Sequence, residues 1–463
     1  MSQRRVNDLG RDPVGPLLLR LALPTVTAQL VNALYNIVDR IYIGHLKPDG
    51  SLALTGLGVS YPVLMLITAL SALVCVGGSA RAAISMGEGR DDRANEILGN
   101  CAALLVVVSV AVTVFFQVFK RPLLLLFGAT ENTLGYASDY LTIYLLGTIF
   151  VQISVGLNYF ISTQGFTTVS MRTVLIGAVI NIVLDPVFIF GLDMGVRGAA
   201  LATIIAQAVS ALWVLRFLMG RRTRLRLRRG NFHIRWPVLA PVLAIGVSPF
   251  VMQATESALN VAFNSSLRAY GGDLAVGAMT ISSSVMQVIY TVFTGFTQGA
   301  QPIISYNYGA GNAERCRKTF KLLFAILVGV STVIWALVQL FPGVFVALFN
   351  DNPELVTYAQ WALKVYTAAL FVVGVQNACQ QTFVALGQAK VSLFLALLRK
   401  VILLIPLIFI LPQFLADKVF AVFLAEPVAD VLAALTTASI FFFRFPRILA
   451  AREAELAQRR QAD

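Results

Sequence analysis

Long apolar runs, separated by short polar, glycine-rich or charged breaks, dominate the chain. About 20 apolar residues span a bilayer as a helix, and strand-like alternation of apolar and polar positions is absent from the pattern. The breaks carry the Gly and charge signals that end helices. The pattern predicts an all-α polytopic membrane protein with twelve transmembrane helices, near residues 16–44, 52–78, 95–119, 134–162, 171–190, 196–219, 238–268, 274–304, 317–341, 356–386, 390–414 and 418–445.

Composition supports this class. The 463 residues are 57% hydrophobic and 13% charged, with a mean hydropathy of +0.77, which is too apolar for a soluble domain. Four single cysteines lack CxxC spacing and only two histidines occur, so we interpret the cysteines as packing residues and expect no transition-metal cluster.

The net charge of +13 does not indicate a nucleic-acid partner, because the basic residues lie between the predicted helices. The connection 220–236, GRRTRLRLRRGNFHIRW, holds seven arginines and no acid. By the positive-inside rule it lies in the cytoplasm, and an even helix count then places both termini there. We interpret it as a solvated linker that touches anionic lipid. Only Arg40 and Lys364 are expected inside helices, away from helix ends.

The two halves of the chain repeat. The loops MGEGRDDRANE and YGAGNAERCRK close at Gly89 and Gly311, and the same offset of 222 residues relates Gly165 to Gly387. Each copy has six predicted helices, so the repeat is parallel. We therefore predict an N-terminal lobe (1–219), a cytoplasmic basic linker (220–236) and a C-terminal lobe (237–463) with a short cytoplasmic tail, arranged pseudo-symmetrically around a central cleft.

Intramembrane acids mark the candidate site, because a charge near the bilayer centre is costly and faces a cavity or a partner. Asp39, Asp185 and Thr203 are predicted at similar depth, and Asn181 lies one helical turn before Asp185. This all-oxygen set suits a hard cation or a shared proton. The alternatives are that Asn181 and Asp185 only pin helix contacts, and that Asp39 pairs with its neighbour Arg40.

The second lobe has its own polar positions. Glu256 lies on one helical stripe with Gln253 and Asn260. Three roles are open for it: contact with a cationic substrate, binding of a second proton, or an interhelical hydrogen bond. Glu426 and Asp430, four residues apart, are expected to neutralise Lys400 or Arg399, an interpretation that competes with a functional one.

Other residues are candidates for a central chamber and a hinge. Pro24 removes a backbone hydrogen bond from the first helix and permits a hinge, or only a static kink. Aromatic, amide and thioether side chains suit loose recognition of flat cations, or simply pack helices. The chamber candidates are Tyr35, Asn32, Gln29, Asn158, Met279, Gln287 and Tyr290.

Four segments resemble the multidrug and toxic compound extrusion (MATE) family, in particular its bacterial and archaeal DinF-like branch: LALPTVTAQLVNALYNIVDRIYIG, NIVLDPVFIFGLDMGVRGAALAT, QPIISYNYGAGNAERCRKTFK and AEPVAD. The resemblance implies a V of two lobes, export of diverse, often cationic drugs in exchange for H+ or Na+, and location in a bacterial or archaeal inner (plasma) membrane. We expect a monomer that needs no cofactor and has no nucleic-acid partner.

The family's first-lobe cation site is similar to Asp39, Asn181, Asp185 and Thr203, which would also hold Na+ if sodium is the coupling ion. Glu256 is similar to an acid of the NorM-like branch, whose helix 10 carboxylate is missing from VQNACQQ here, so first-lobe coupling is favoured. The nearest alternative is a flippase of lipid-linked or amphiphilic substrates. A receptor that does not transport is not favoured, because no fused domain is visible. The sequence also lacks the P-loop of an ATP-driven pump. It has no set of nucleophile, base and orienting residue that would indicate an enzyme.

Overall fold

The computed structural model describes residues 7–47, 50–221, 223–349 and 352–462, and they form an all-α membrane protein with twelve spans. We number the spans α1 (Val14–Gly44), α2 (Gly50–Gly87), α3 (Asp91–Leu126), α4 (Glu131–Leu146 and Thr148–Thr163), α5 (Thr167–Gly191), α6 (Gly195–Leu218), α7 (236–271), α8 (273–309), α9 (Ala313–Leu340), α10 (Pro353–Tyr366 and Leu370–Ala385), α11 (Ala389–Phe414) and α12 (Lys418–Ala462).

The turn between α7 and α8 depends on a glycine. The helical run Trp236–Gly309 turns at Gly272, whose φ of 65° and ψ of −159° are not helical. Only glycine adopts this region without strain. The two apolar runs on either side of Gly272 are therefore separate spans, as the sequence pattern predicts.

The internal repeat is visible in the backbone. Gly89 and Gly311 have φ values of 76° and 72°, and Gly165 and Gly387 have φ values of 86° and 69°, so equivalent glycines end equivalent helices in the left-handed region. Both α4 and α10 are bent near the same repeat position, by 61° and 49°. The two halves therefore have the same six-helix fold.

Observed α12 extends well beyond the predicted end at residue 445. Its final turns are rich in Ala, Glu and Arg, which favour a helix in water as well as in lipid. Glu455 also pairs with Arg452 at 2.8 Å and with Arg459 at 2.6 Å along this helix. The hydrophobic pattern marks the span, whereas helix propensity decides where the helix ends.

The two lobes exchange the starts of their first helices. Leu17, Leu18 and Leu21 of α1 are fully buried in the apolar core of the second lobe. Val238 and Leu239 at the start of α7 are buried in a core of the first lobe. The lobes are thus joined by packed helices as well as by the covalent linker.

The linker is docked on the first lobe, although most of its described arginines are exposed to solvent, as expected. Arg224 pairs with Asp91 at 2.8 Å and Arg235 with Glu96 at 2.9 Å, both at the start of α3. Leu225 is completely buried in a first-lobe core. We call the side of the molecule that carries residues 223–235 the linker face.

The lobes make their closest contacts in the linker-face half. A Cβ atom added to Gly246 of α7 would lie 1.7 Å from the Leu73 carbonyl oxygen of α2, and one added to Gly309 of α8 would lie 2.0 Å from the Ile84 carbonyl oxygen. Glycine therefore permits helix-to-helix contact that any side chain would prevent. The central cleft lies between the lobes beyond these contacts.

Candidate functional site

Four polar side chains from three helices meet inside the first lobe. Asp39 of α1, Asn181 and Asp185 of α5, and Thr203 of α6 are 8%, 2%, 0% and 9% exposed. This juxtaposition agrees with the depth predicted from the sequence. We call these four residues the first-lobe cluster.

Local backbone structure positions the carboxyl group of Asp185. Asn181 and Asp185 lie one helical turn apart and therefore share a face of α5. Pro186 follows, and the helix then changes to a π-helical turn over Val187–Gly191. Such π turns disturb regular packing and are frequent at functional sites.

Hydrogen bonds inside the first-lobe cluster leave several oxygens free. The Asn181 amide nitrogen donates to Asp185 Oδ1 at 3.1 Å and to Thr203 Oγ1 at 3.3 Å. The carboxyl groups of Asp39 and Asp185 are close enough to interact electrostatically. Asp39 Oδ1, Asn181 Oδ1 and Asp185 Oδ2 are buried without a hydrogen-bond partner among the described residues.

This arrangement has a direct chemical consequence. Buried oxygens without partners are unfavourable, and two adjacent carboxylates in low dielectric cannot both stay ionised without compensation. A shared proton or a bound hard cation satisfies both requirements. The set fits a bound proton or cation better than it fits simple pinning of helices, which would leave no oxygens free.

Arg40 does not neutralise Asp39 by direct contact. Its guanidinium lies over the Tyr61 ring, 5.3 Å from the ring centroid, and among the described residues no ion pair within 4.0 Å involves Asp39. Successive helical residues diverge by about 100°, which separates the two side chains. Asp39 is therefore available to an exchangeable ion.

Sequence reasoning missed Tyr140 of α4. This buried phenol, together with Tyr35, is near enough to both carboxyl groups to interact with them electrostatically. Tyr140 stacks on Tyr144, with ring centroids 5.9 Å apart. The four-residue spacing of these tyrosines was the available signal, but it does not show that this part of α4 packs against α2 and α6.

The second lobe contains a cluster of charges that is buried except for Glu256. Arg399 of α11 donates to Asp430 Oδ1 at 2.7 Å and to Glu426 Oε1 at 2.9 Å, both on α12. Lys400 contacts Glu256 of α7. We call these five residues the second-lobe cluster, and it confirms the expected pairing of Glu426 and Asp430 with Arg399.

The expected set of intramembrane cations was wrong. Arg399 and Lys400 are 7% and 4% exposed and lie inside the span α11, besides Arg40 and Lys364. The assignment failed because basic residues usually mark helix ends, whereas these two are stabilised by acids from α7 and α12. Both are paired with carboxylates, so they do not form the free basic lining that a flippase of anionic lipids would need.

The chamber candidates have mixed environments. The Gln29 amide nitrogen donates to Gln298 across the two lobes at 3.0 Å, and that of Gln287 reaches the Tyr61 hydroxyl at 3.5 Å. Met279 is 3% exposed within the second-lobe core, so a substrate cannot reach it in this conformation. Asn32, Tyr35, Gln253 and Glu256 are partly or fully exposed.

Two further candidates make interhelical contacts. The Asn158 amide nitrogen donates to the Ser170 carbonyl oxygen at 3.2 Å, which links α4 to α5. Tyr290 accepts a hydrogen bond of 2.6 Å from Arg399.

The proposed hinge at Pro24 lies next to an interlobe contact. The helix α1 runs without a break through Pro24. The adjacent Thr25 hydroxyl donates to the Gly295 carbonyl oxygen of α8 at 2.6 Å. Any bend of α1 at this point therefore also changes a contact between the lobes.

Comparisons with known proteins match the repeat and the fold. The MatE family model matches residues 24–187 and 249–410, one segment in each half. The multidrug export protein MepA of Staphylococcus haemolyticus (strain JCSC1435) is 26% identical over 418 residues, covering 90% of this chain and 91% of that protein. MepA of Staphylococcus aureus (strain NCTC 8325 / PS 47) is 26% identical over 436 residues, covering 92% and 94%.

A solved structure has the same fold. It is described as the outward-facing conformation of a multidrug resistance MATE family transporter of the MOP superfamily. Its TM-score is 0.90 at 23% identity, covering 97% of this chain and 99% of that chain. The likeness extends over nearly the whole of both chains.

Proposed function

Because the chain belongs to the MatE family of multidrug and toxic compound extrusion transporters, which are not enzymes, we propose that it exports organic, often cationic, compounds by antiport with H+ or Na+. Both MepA relatives are named multidrug export proteins, and these names give no support to the flippase alternative. The single observation that carries the proposed coupling is the convergence of three unpartnered buried oxygens in the first-lobe cluster.

The proposed cycle follows from the charge balance of this cluster. Asp39 and Asp185 take up H+ or Na+ from outside, with Asn181 and Thr203 supplying further oxygens. Uptake neutralises the carboxylates and favours a rearrangement of α1 about Pro24. Coupling requires that the ion and the drug favour different conformations.

The closed contacts at the linker face support an alternating-access cycle. We assign the linker face to the cytoplasm, because the linker carries the positive charge excess. Both termini then lie in the cytoplasm, and the structure corresponds to a state closed on that side. Rocking of the lobes separates the glycine contacts at Gly246 and Gly309 and opens the cleft inward.

Dye efflux from proteoliposomes tests the coupling. Ethidium efflux is measured under an imposed pH gradient or Na+ gradient, one at a time, for the wild type and for Asp39→Asn. We expect the variant to lose gradient-driven efflux, because asparagine cannot exchange a proton and binds a cation more weakly. The gradient that drives the wild-type protein identifies the coupling ion.

Asp193→Asn is the matched control. Asp193 lies in the loop between α5 and α6 with a φ of 53°, which asparagine tolerates well. This variant should transport like the wild type. Wild-type efflux by a well-folded Asp39→Asn protein would refute the role of the first-lobe cluster.

A further inference from the structure

The second-lobe cluster has two buried carboxyl groups that share one guanidinium group. It contains three carboxyl groups, those of Glu256, Glu426 and Asp430, but only two cations, Arg399 and Lys400. Glu426 and Asp430 are 5% and 2% exposed. The Glu256 side chain is 56% exposed and pairs with Lys400. If Glu426 and Asp430 are both ionised, the guanidinium of Arg399 balances only one of them and leaves the other as a surplus charge.

Geometry locates this surplus on α12. Lys400 is already engaged, because two of its three N–H donors reach Glu256 and the Met252 carbonyl oxygen, the latter at 2.6 Å. Arg399 must therefore serve both Glu426 and Asp430. These two acids lie one helical turn apart, on the same face of α12.

The hydrogen bonds distinguish the two acids. Arg399 Nε donates to Asp430 Oδ1 at 2.7 Å, while its Nη2 is shared between Glu426 Oε1, at 2.9 Å, and the Tyr290 hydroxyl, at 2.6 Å. Glu426 Oε2 is buried and has no hydrogen-bond partner among the described residues. The unsatisfied oxygen of the cluster thus belongs to Glu426.

A proton on Glu426 Oε2 removes the surplus charge. The neutral carboxyl group keeps Oε1 as the acceptor for Arg399, so no existing hydrogen bond is lost. The groups that face this position are Glu256 of α7, Tyr290 of α8, Tyr366 of α10, and Arg399 with Lys400 of α11. None of them supplies a further positive charge that is not already paired.

A metal ion fits this position less well. Hard cations take about six oxygen ligands, whereas the cluster has a single unpartnered oxygen among the described residues. The guanidinium of Arg399 also repels a second cation. The position is therefore suited to a proton.

We propose that Glu426 is a second proton-binding site, held in the second lobe by Arg399 and Asp430. The proposal extends the coupling described above. The role of Glu426 in transport rests on the proposed function, whereas proton binding by Glu426 does not. Loss of the proton restores the full charge of Glu426, which draws Arg399 away from Tyr290. Protonation at Glu426 thereby changes the hydrogen bonding of a chamber residue.

Infrared difference spectroscopy of the purified protein tests proton binding without any transport. Spectra are compared between neutral and alkaline buffer, following the carbonyl stretch of protonated carboxyl groups. A proton on the first-lobe carboxyl groups gives a band component of its own. We therefore expect one component of the protonated-carboxyl band to be lost in Glu426→Gln and kept in Asp39→Asn and in Glu354→Gln, an exposed acid outside both clusters. A Glu426→Gln protein that keeps every component of the wild-type band would overturn the proposal.

Two further arms keep the test decisive. If the glutamine variant is not monodisperse in detergent, Glu426→Asp replaces it and should shift the band, whereas an unshifted band would overturn the proposal. Adding Na+ at constant pH and ionic strength should leave the band in place, and its disappearance would show a cation site instead.

Transport measurements separate this proposal from the first. Glu426→Gln should export substrate with fewer protons per molecule than the wild type, while Asp39→Asn should lose coupled export altogether. An active Asp39→Asn protein would refute first-lobe coupling but leave the Glu426 band unaffected. A Glu426→Gln protein with an unchanged proton stoichiometry would refute the transport role of Glu426 alone.

Discussion

Arg452, near the end of α12, connects the two lobes at the linker face. It is 7% exposed and contacts Glu88, which lies between α2 and α3 of the first lobe. It also pairs with Glu455 at 2.8 Å and donates to the Gly309 carbonyl oxygen of α8 at 3.3 Å. This bridge exists only while the linker face is closed, so Arg452→Gln should favour the state that is open there.

The size of the effect follows from the contacts that are lost. A hydrogen bond to a charged group contributes about 1.5–3 kcal/mol. Glu88 keeps a second partner in Arg90, so the lower end of this range applies. Because about 1.4 kcal/mol corresponds to a factor of ten, the open population should rise about tenfold.

Pulsed electron paramagnetic resonance measures this shift. Spin labels are attached to Arg172→Cys on α5 and Lys318→Cys on α9, both exposed, while the four native cysteines are buried. The fraction of long distances should rise about tenfold in Arg452→Gln. Arg459→Gln is the control, because Arg459 contacts Glu455 on its own helix. An unchanged distance distribution in Arg452→Gln would refute the reasoning.

Two other substitutions test the packing. Gly246→Ala should separate α2 from α7 and increase the same long-distance fraction, because its Cβ would lie 1.7 Å from the Leu73 carbonyl oxygen; unchanged distances would contradict tight lobe contact. Arg399→Ala should lower the free energy of unfolding by about 3–5 kcal/mol, since the buried Asp430 carboxylate loses its ion-pair partner. Thermal unfolding in detergent measures this loss, and an unaltered Tm would show that Arg399 and Asp430 do not form a buried ion pair.

Much of the fold was predictable from one-dimensional patterns. Apolar runs of membrane-spanning length indicated all twelve helices, because a bilayer requires that backbone groups be satisfied within each span. The offset between Gly89 and Gly311 predicted the repeat, since left-handed turns require glycine at equivalent positions. The first-lobe cluster was also predictable, because its members lie at matching distances from helix ends.

Other features depended on packing between distant segments. The sequence predicted that Glu426 and Asp430 neutralise Lys400 or Arg399. However, it assigned these two basic residues to a helix end, where basic residues are normally found. Only the tertiary structure decided that α11 holds them inside the membrane, opposite carboxylates from other helices. Tyr140 was missed because the sequence does not show which helices pack against one another.

The chain's periodicity therefore determined its membrane class, its twelve spans, its repeat and the depth of its acids, because these depend on local hydrophobicity and helical geometry. The tertiary structure decided which charges neutralise one another, which oxygens remain unpartnered and where the lobes touch. Those properties depend on distances between helices far apart in sequence, and no local pattern encodes such distances.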